Sequence, residues 1–80
     1  MTVTIVFLGK LADLADCPEM QAEGPLDWAG LLAALPDSLA AAASADTTRI
    51  AVDGKLLADK ATLAAADGAE IALLPPVSGG

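Results

Sequence analysis

The chain has 80 residues, a formal net charge of −7 and little aromatic content, with Phe7 and Trp28 its only large rings. That length makes one domain, near the lower limit for holding a core without disulfide or metal staples. Eleven acidic against four basic residues exclude nucleic acid and anionic membrane as partners, since both demand positive charge; the acidity serves solubility or steers a basic partner.

The opening "TVTIVFL" (Thr2 to Leu8) alternates Thr with Val and Ile and then turns apolar on both faces. It predicts a strand, half buried at its start and fully buried at its end. It is too short for a secretory leader and no basic residue precedes it. No apolar run reaches the roughly 18 residues of a membrane span. The expectation is a cytoplasmic protein. Gly9 closes the strand, and "KLADLAD" (Lys10 to Asp16) sets Leu11 and Leu14 three apart, as in a short helix. Cys17-Pro18 stops that helix, because the residue before proline avoids helical angles. Cys17 is the only cysteine, so no internal disulfide and no multi-cysteine metal site forms. "EMQAEG" (Glu19 to Gly24) alternates again and predicts a second strand, joined to the first closely enough for an antiparallel pair.

Asp27 is placed to cap a helix whose apolar stripe is Trp28, Leu31, Leu32 and Leu35, a core-facing pattern. Pro36 interrupts it and fits the start of a second, alanine-rich helix to Ala45, in which only Leu39 is bulky and fraying is expected. "TTRIAVDGKLL" (Thr47 to Leu57) reads as strand, turn and strand, with Asp53-Gly54 as the hairpin signal. An irregular connection and a turn at Asp67-Gly68 lead to a last strand, with Ile71 and Leu73 on one face and Glu70, Ala72 and Leu74 on the other. Helices confined to the middle of such a chain cover one face of a sheet, giving an α+β class. The first and last strands are the most apolar, and the long link between them suits a central parallel pair. A mixed sheet wrapped around one main helix is the β-grasp arrangement. Residues 1–75 form the domain and residues 76–80 a flexible tail.

Catalytic groups are scarce. There is no histidine, and no serine has a base nearby in sequence. Asp13 with Asp16 reads as a solvated helix face, and Lys55 and Lys60 as solubilising lysines. The end of the chain, "LLPPVSGG", is different. Pro75 and Pro76 cannot extend a ladder in the usual way and hold the exit direction extended. Val77 and Ser78 then lead to Gly79 and Gly80, a tip without side chains. Residues 76–80 can span roughly 17 Å when extended. Such a segment could thread a tunnel and present the Gly80 carboxylate for adenylation and then thiolation; a frayed terminus is the alternative.

"DGAEIALLPPVSGG" (Asp67 to Gly80), with support from "VFLGKLADLA" (Val6 to Ala15), resembles the small, sulfur-carrier subunit of molybdopterin synthase, a ubiquitin-like β-grasp family. The resemblance implies that an E1-like adenylating enzyme activates Gly80 with ATP and that a sulfur donor converts it to a thiocarboxylate. No cofactor is bound permanently. The tail then delivers sulfur to a precursor in the large synthase subunit, within a heterotetramer of two large and two small subunits. On this view the chain is not an enzyme on its own. Leu74 and Val77 are the expected apolar contacts flanking the tail. Departures from the family pattern fall at Ala12, Asp16, Ala69 and Leu74. Three other readings stay open: a sulfur carrier for thiazole synthesis, a protein modifier joined through Gly80 to lysines, and a plain interaction module.

Overall fold

The computed structural model describes residues 2–75. Strand β1 (Thr2–Phe7) is followed by helix α1 (Lys10–Ala15), strand β2 (Glu19–Glu23), a two-residue strand β3 (Leu26–Asp27), and helices α2 (Trp28–Ala34) and α3 (Asp37–Ser44). Strands β4 (Arg49–Val52) and β5 (Lys55–Leu56), a single 3-10 turn at Lys60–Thr62, strand β6 (Ala64–Ala65) and strand β7 (Glu70–Leu74) complete it. The main sheet runs in the order β2-β1-β7-β4-β5, and β3 pairs with β6 in a separate two-stranded ladder.

The parallel pair forms as the apolar character of the two end strands predicts. Ile5 lies beside Ile71 and Phe7 beside Leu73, while β4 lies antiparallel on the other side of β7, with Ile50 opposite Leu73. Val3, Ile5, Phe7, Ile50, Ile71 and Leu73 therefore point to one face, and all are buried. Leu31, Leu35, Leu39 and Ala43 of the helical segment are also buried and form one core cluster with them. This is an α+β, ubiquitin-like β-grasp fold.

Local chemistry sets the helix ends. The Asp27 carboxylate accepts the Gly30 N–H at 2.7 Å, the expected cap. At the hairpin, Asp53 and Gly54 both take positive φ, 50° and 84°, as a tight primed turn requires. Asp53 also extends the β4–β7 ladder: its Oδ1 accepts the Glu70 N–H at 3.0 Å, and its own N–H donates to the Glu70 carbonyl at 2.9 Å.

Four sequence expectations change. Helix α3 is a full helix, because Leu39 and Ala43 are buried beneath it and side chains satisfy its last carbonyls. Ser44 Oγ donates to Ala40 O, Thr48 Oγ1 to Ala42 O at 2.7 Å, and Lys60 Nζ to both Ala43 O and Ala45 O. Lys60 is thus a helix cap, not a solubilising residue, and its ammonium also lies 5.6 Å from the centre of the Trp28 ring. In α1 only Leu11 is buried; Leu14 is 49 % exposed, since six residues present one narrow face to the core. The end of β1 is not buried on both faces: Val6 is half-buried and Leu8 is 39 % exposed, because α2 and α3 cover only the other side of the sheet. The β3–β6 ladder escapes sequence reading because two-residue strands carry no periodicity.

Candidate functional site

Among the described residues the chain offers no catalytic constellation. No group of three or more His, Cys, Asp or Glu residues is placed to hold a metal among them. Cys17 is a half-buried free thiol packed against the core. Asp16 is a helix terminus, taking the left-handed conformation (φ 60°, ψ 25°) while its N–H meets the carbonyls of α1. In a depression lined by Trp28, Asp46, Thr48, Arg49 and Lys60, the Thr48 hydroxyl and the Lys60 ammonium are committed to holding the end of α3. Burial there lowers the Lys60 pKa below its usual 10.5, with Asp46 opposing the shift and Arg49 adding to it. No helix in the described residues is long and apolar enough to cross a membrane.

What the fold does build is the exit of β7. This strand is pinned on both edges, by β1 and by β4, up to its last residues. The Leu8 N–H donates to the Leu73 carbonyl at 3.3 Å, extending the parallel ladder one step past β1. Leu74 follows, half-buried, on the face away from the helices and directly across from Arg49. Pro75 then sits against the turn into α1, where Gly9 has φ +56° and a Cβ would lie 3.0 Å from Pro75 Cγ. The end of the central strand is therefore held by β1, by β4 and by the turn into α1 before the chain leaves it. Of the predicted site residues, Leu74 and Pro75 meet here; Pro76, Val77, Ser78, Gly79 and Gly80 lie outside the described residues.

Sequence reasoning missed the surface around Leu74. The strand registers place Glu19, Val6, Ala72, Ala51 and Leu56 in one row across the open face. Leu56 is 60 % exposed, and Leu8 stands at the end of β1 beside this row. The signal was present as the two-faced apolar character of the first strand, which reads equally well as burial.

A family model described as the ThiS family matches residues 5–80, which is nearly the whole chain. The chain belongs to the ThiS family. No curated protein matches it. Among solved structures it is similar to SAMP1 from Haloferax volcanii, at 26 % identity and TM-score 0.76 over 100 % of both chains. It is similar also to a chain in the complex of subunits 1 and 2 of molybdopterin-converting factor from Helicobacter pylori 26695, at 28 % identity and TM-score 0.68, again over 100 % of both. The small archaeal modifier protein 1 of Methanosarcina acetivorans, at 23 % identity and TM-score 0.78 over 99 % of this chain and 96 % of that one, shows the shared fold.

Membership in the ThiS family makes this a ubiquitin-like carrier of the sulfur-carrier class. Two of the positions that depart from the molybdopterin synthase small-subunit pattern expected from the sequence, Asp16 and Ala69, have local explanations. The left-handed backbone at Asp16 is one that glycine adopts without strain. Ala69 is buried, and its carbonyl accepts the Thr4 N–H at 3.1 Å, so a charged side chain would be costly there.

Proposed function

We propose that this chain carries sulfur as a thiocarboxylate on Gly80 and delivers it to the large subunit of molybdopterin synthase for dithiolene formation. One observation carries the reading: the pinned central strand β7 runs straight into Pro75, and the sequence continues as Pro-Val-Ser-Gly-Gly. A domain anchored in this way acts as a handle, and residues 76–80 act as the reactive segment. The similarity to a chain of the H. pylori subunit 1–subunit 2 complex supports a large-subunit partner.

The chemistry belongs to the terminal carboxylate. One of its oxygens attacks the α-phosphorus of ATP on an E1-like adenylating enzyme, and pyrophosphate leaves. The terminal sulfur of a persulfide on a desulfurase- or rhodanese-type donor then attacks the carbonyl and AMP leaves, and a thiol cleaves the resulting acyl disulfide, forming a disulfide with the donor and freeing the thiocarboxylate. Glycine suits both steps because no β-carbon crowds the carbonyl. The large subunit supplies the pocket and its acid–base groups, and this chain supplies the sulfur. The proposed setting is the cytoplasm, in a heterotetramer with two large subunits. Leu74 and Val77 are the proposed apolar contacts beside the tail.

Reconstitution with the adenylating enzyme, ATP, a sulfur donor, the large subunit and the pyranopterin precursor tests this. Intact mass should show one oxygen of this chain replaced by sulfur, and the oxidised product should show pterin fluorescence. Loading without product would move the chain to another sulfur pathway, such as thiazole synthesis. A second reading, a protein modifier, is favoured by the similarity to SAMP1. It predicts conjugates in host lysate that vanish when Gly80 is deleted.

A further inference from the structure

Between α1 and the end of α3 lies an apolar groove of about 370 Å³ that the chemistry at Gly80 does not use. Leu11 and Leu14 line it from α1, Ala42 and Ala45 from the end of α3, and Pro75 from the exit of β7. Leu14 is 49 % exposed there. Thr48 also lines the groove, but its hydroxyl is spent on Ala42 O at 2.7 Å. No acidic side chain lines it among the described residues, although the chain carries eleven. The groove therefore suits an apolar side chain.

The last strand leads into this groove. Ile71 and Leu73 are buried on the helix-facing side of β7, and Pro75, two residues on, is part of the groove lining. The contact of Gly9 with Pro75 carries the β1 register past the end of the strand. Alternate residues of an extended chain turn to the same side. Val77 is the next in that series, about 7 Å beyond Pro75 at ~3.4 Å per residue. Pro75 precedes a proline and so favours extended backbone, and Pro76 fixes its own φ, which lowers the entropy lost on ordering the neck. A separate partner entering the groove loses translational and rotational freedom; a neck tethered at Pro75 does not.

We propose that in the free protein Val77 seats in this groove against Leu14 and Ala45, so that the chain's own neck covers Leu14 and only residues 78–80 stand clear of the domain. The groove then sets the reach of the tip. Three extended residues span about 10 Å, against roughly 17 Å for residues 76–80. A tunnel deeper than the shorter of these draws Val77 out of the groove before Gly80 reaches its end. Seating needs no sulfur and no partner, so it stands or falls separately from sulfur carriage.

NMR of isotope-labelled full-length protein, without partners, decides the matter. Nuclear Overhauser contacts should join the Val77 methyls to those of Leu14 and Ala45. The Val77 amide should have an order parameter near the ~0.85 of rigid backbone, with Gly79 and Gly80 below about 0.6. Val77→Asp should release the neck: the Ser78 amide drops below about 0.6, and the Leu14 and Ala45 methyl resonances shift while those of the buried Val3 and Ile5 stay in place. Leu14→Ser, at an exposed position, should release it equally, and Val77→Ile should keep it seated. A Val77 amide as mobile as Gly80 in the wild-type protein overturns the proposal, and so do Leu14 resonances that ignore Val77→Asp. In a mixture of differently labelled chains, contacts found only between chains would overturn it too, by making the occupant a second copy. Sulfur loading at Gly80 is read separately by intact mass, so a mobile neck with full loading leaves the carrier reading standing, and a seated neck without loading removes that reading alone.

Discussion

Pro75 rests on Gly9. The proline ring occupies the space that a side chain at Gly9 would need, with a Cβ there only 3.0 Å from Pro75 Cγ, and Gly9 holds φ +56°. The exit of the last strand and the turn into the first helix are therefore one contact. Gly9→Ala should cost about 1–3 kcal/mol, because φ 56° with ψ −130° is a backbone conformation that only glycine adopts readily, with further loss if Pro75 is displaced. The check is urea unfolding: a midpoint shift at unchanged slope reports stability. Wild-type stability in this variant would show that the contact does not constrain the exit.

Leu74 lies on the open face across from Arg49, half-buried and outside the core. Leu74→Asp should therefore leave the cooperative unfolding transition in place while weakening large-subunit affinity by at least tenfold. Calorimetry checks the affinity, and thermal denaturation checks the fold. Unchanged affinity would remove Leu74 from the interface.

Adding one residue after Gly80, or deleting Gly80, should abolish sulfur loading and leave the fold intact, because the proposed reactive group is the terminal carboxylate of glycine. Intact mass after incubation with the activating enzyme, ATP and sulfur donor measures this. Full loading of an extended protein, with the extension still present, contradicts it.

Lys60 caps the end of α3 through Ala43 O and Ala45 O and lies over Trp28. Lys60→Met keeps the stem and removes the donors, and should cost about 1–2 kcal/mol, typical of lost charge-assisted bonds at partial exposure. Trp28 is the only tryptophan, so its fluorescence reports the change directly. The pH dependence has a defined sign. Burial lowers the Lys60 pKa below 10.5, so just under 10.5 the unfolded chain binds more protons than the folded one. In that interval this group makes stability rise with pH, and Lys60→Met should remove its share of the rise.

Asp16→Gly should stabilise the fold by about 0.5 kcal/mol, since glycine takes a left-handed helix end without steric cost. Thermal denaturation would show a Tm higher by a few degrees for a domain of this size. A lower Tm would mean that the Asp16 side chain contributes more than its backbone strain costs.

The sequence alone was enough for the class, the hairpin, the Asp27 cap and the central pairing of first and last strands. These rest on local chemistry and short-period patterns: Asp-Gly at a turn, Asp before an apolar stripe, and alternation in strands. Tertiary structure alone decided which apolar residues stay exposed. Val6 and Ile5 look alike in sequence; Ile5 lies under the helices and Val6 does not, because both helices fall on one side of the sheet. It also decided that Lys60 serves α3, fifteen or more residues earlier in the chain. Glu19 and Glu23 came to share a face with Leu74 only through strand registers. Such relations depend on which distant segments meet, and no local window of sequence contains them.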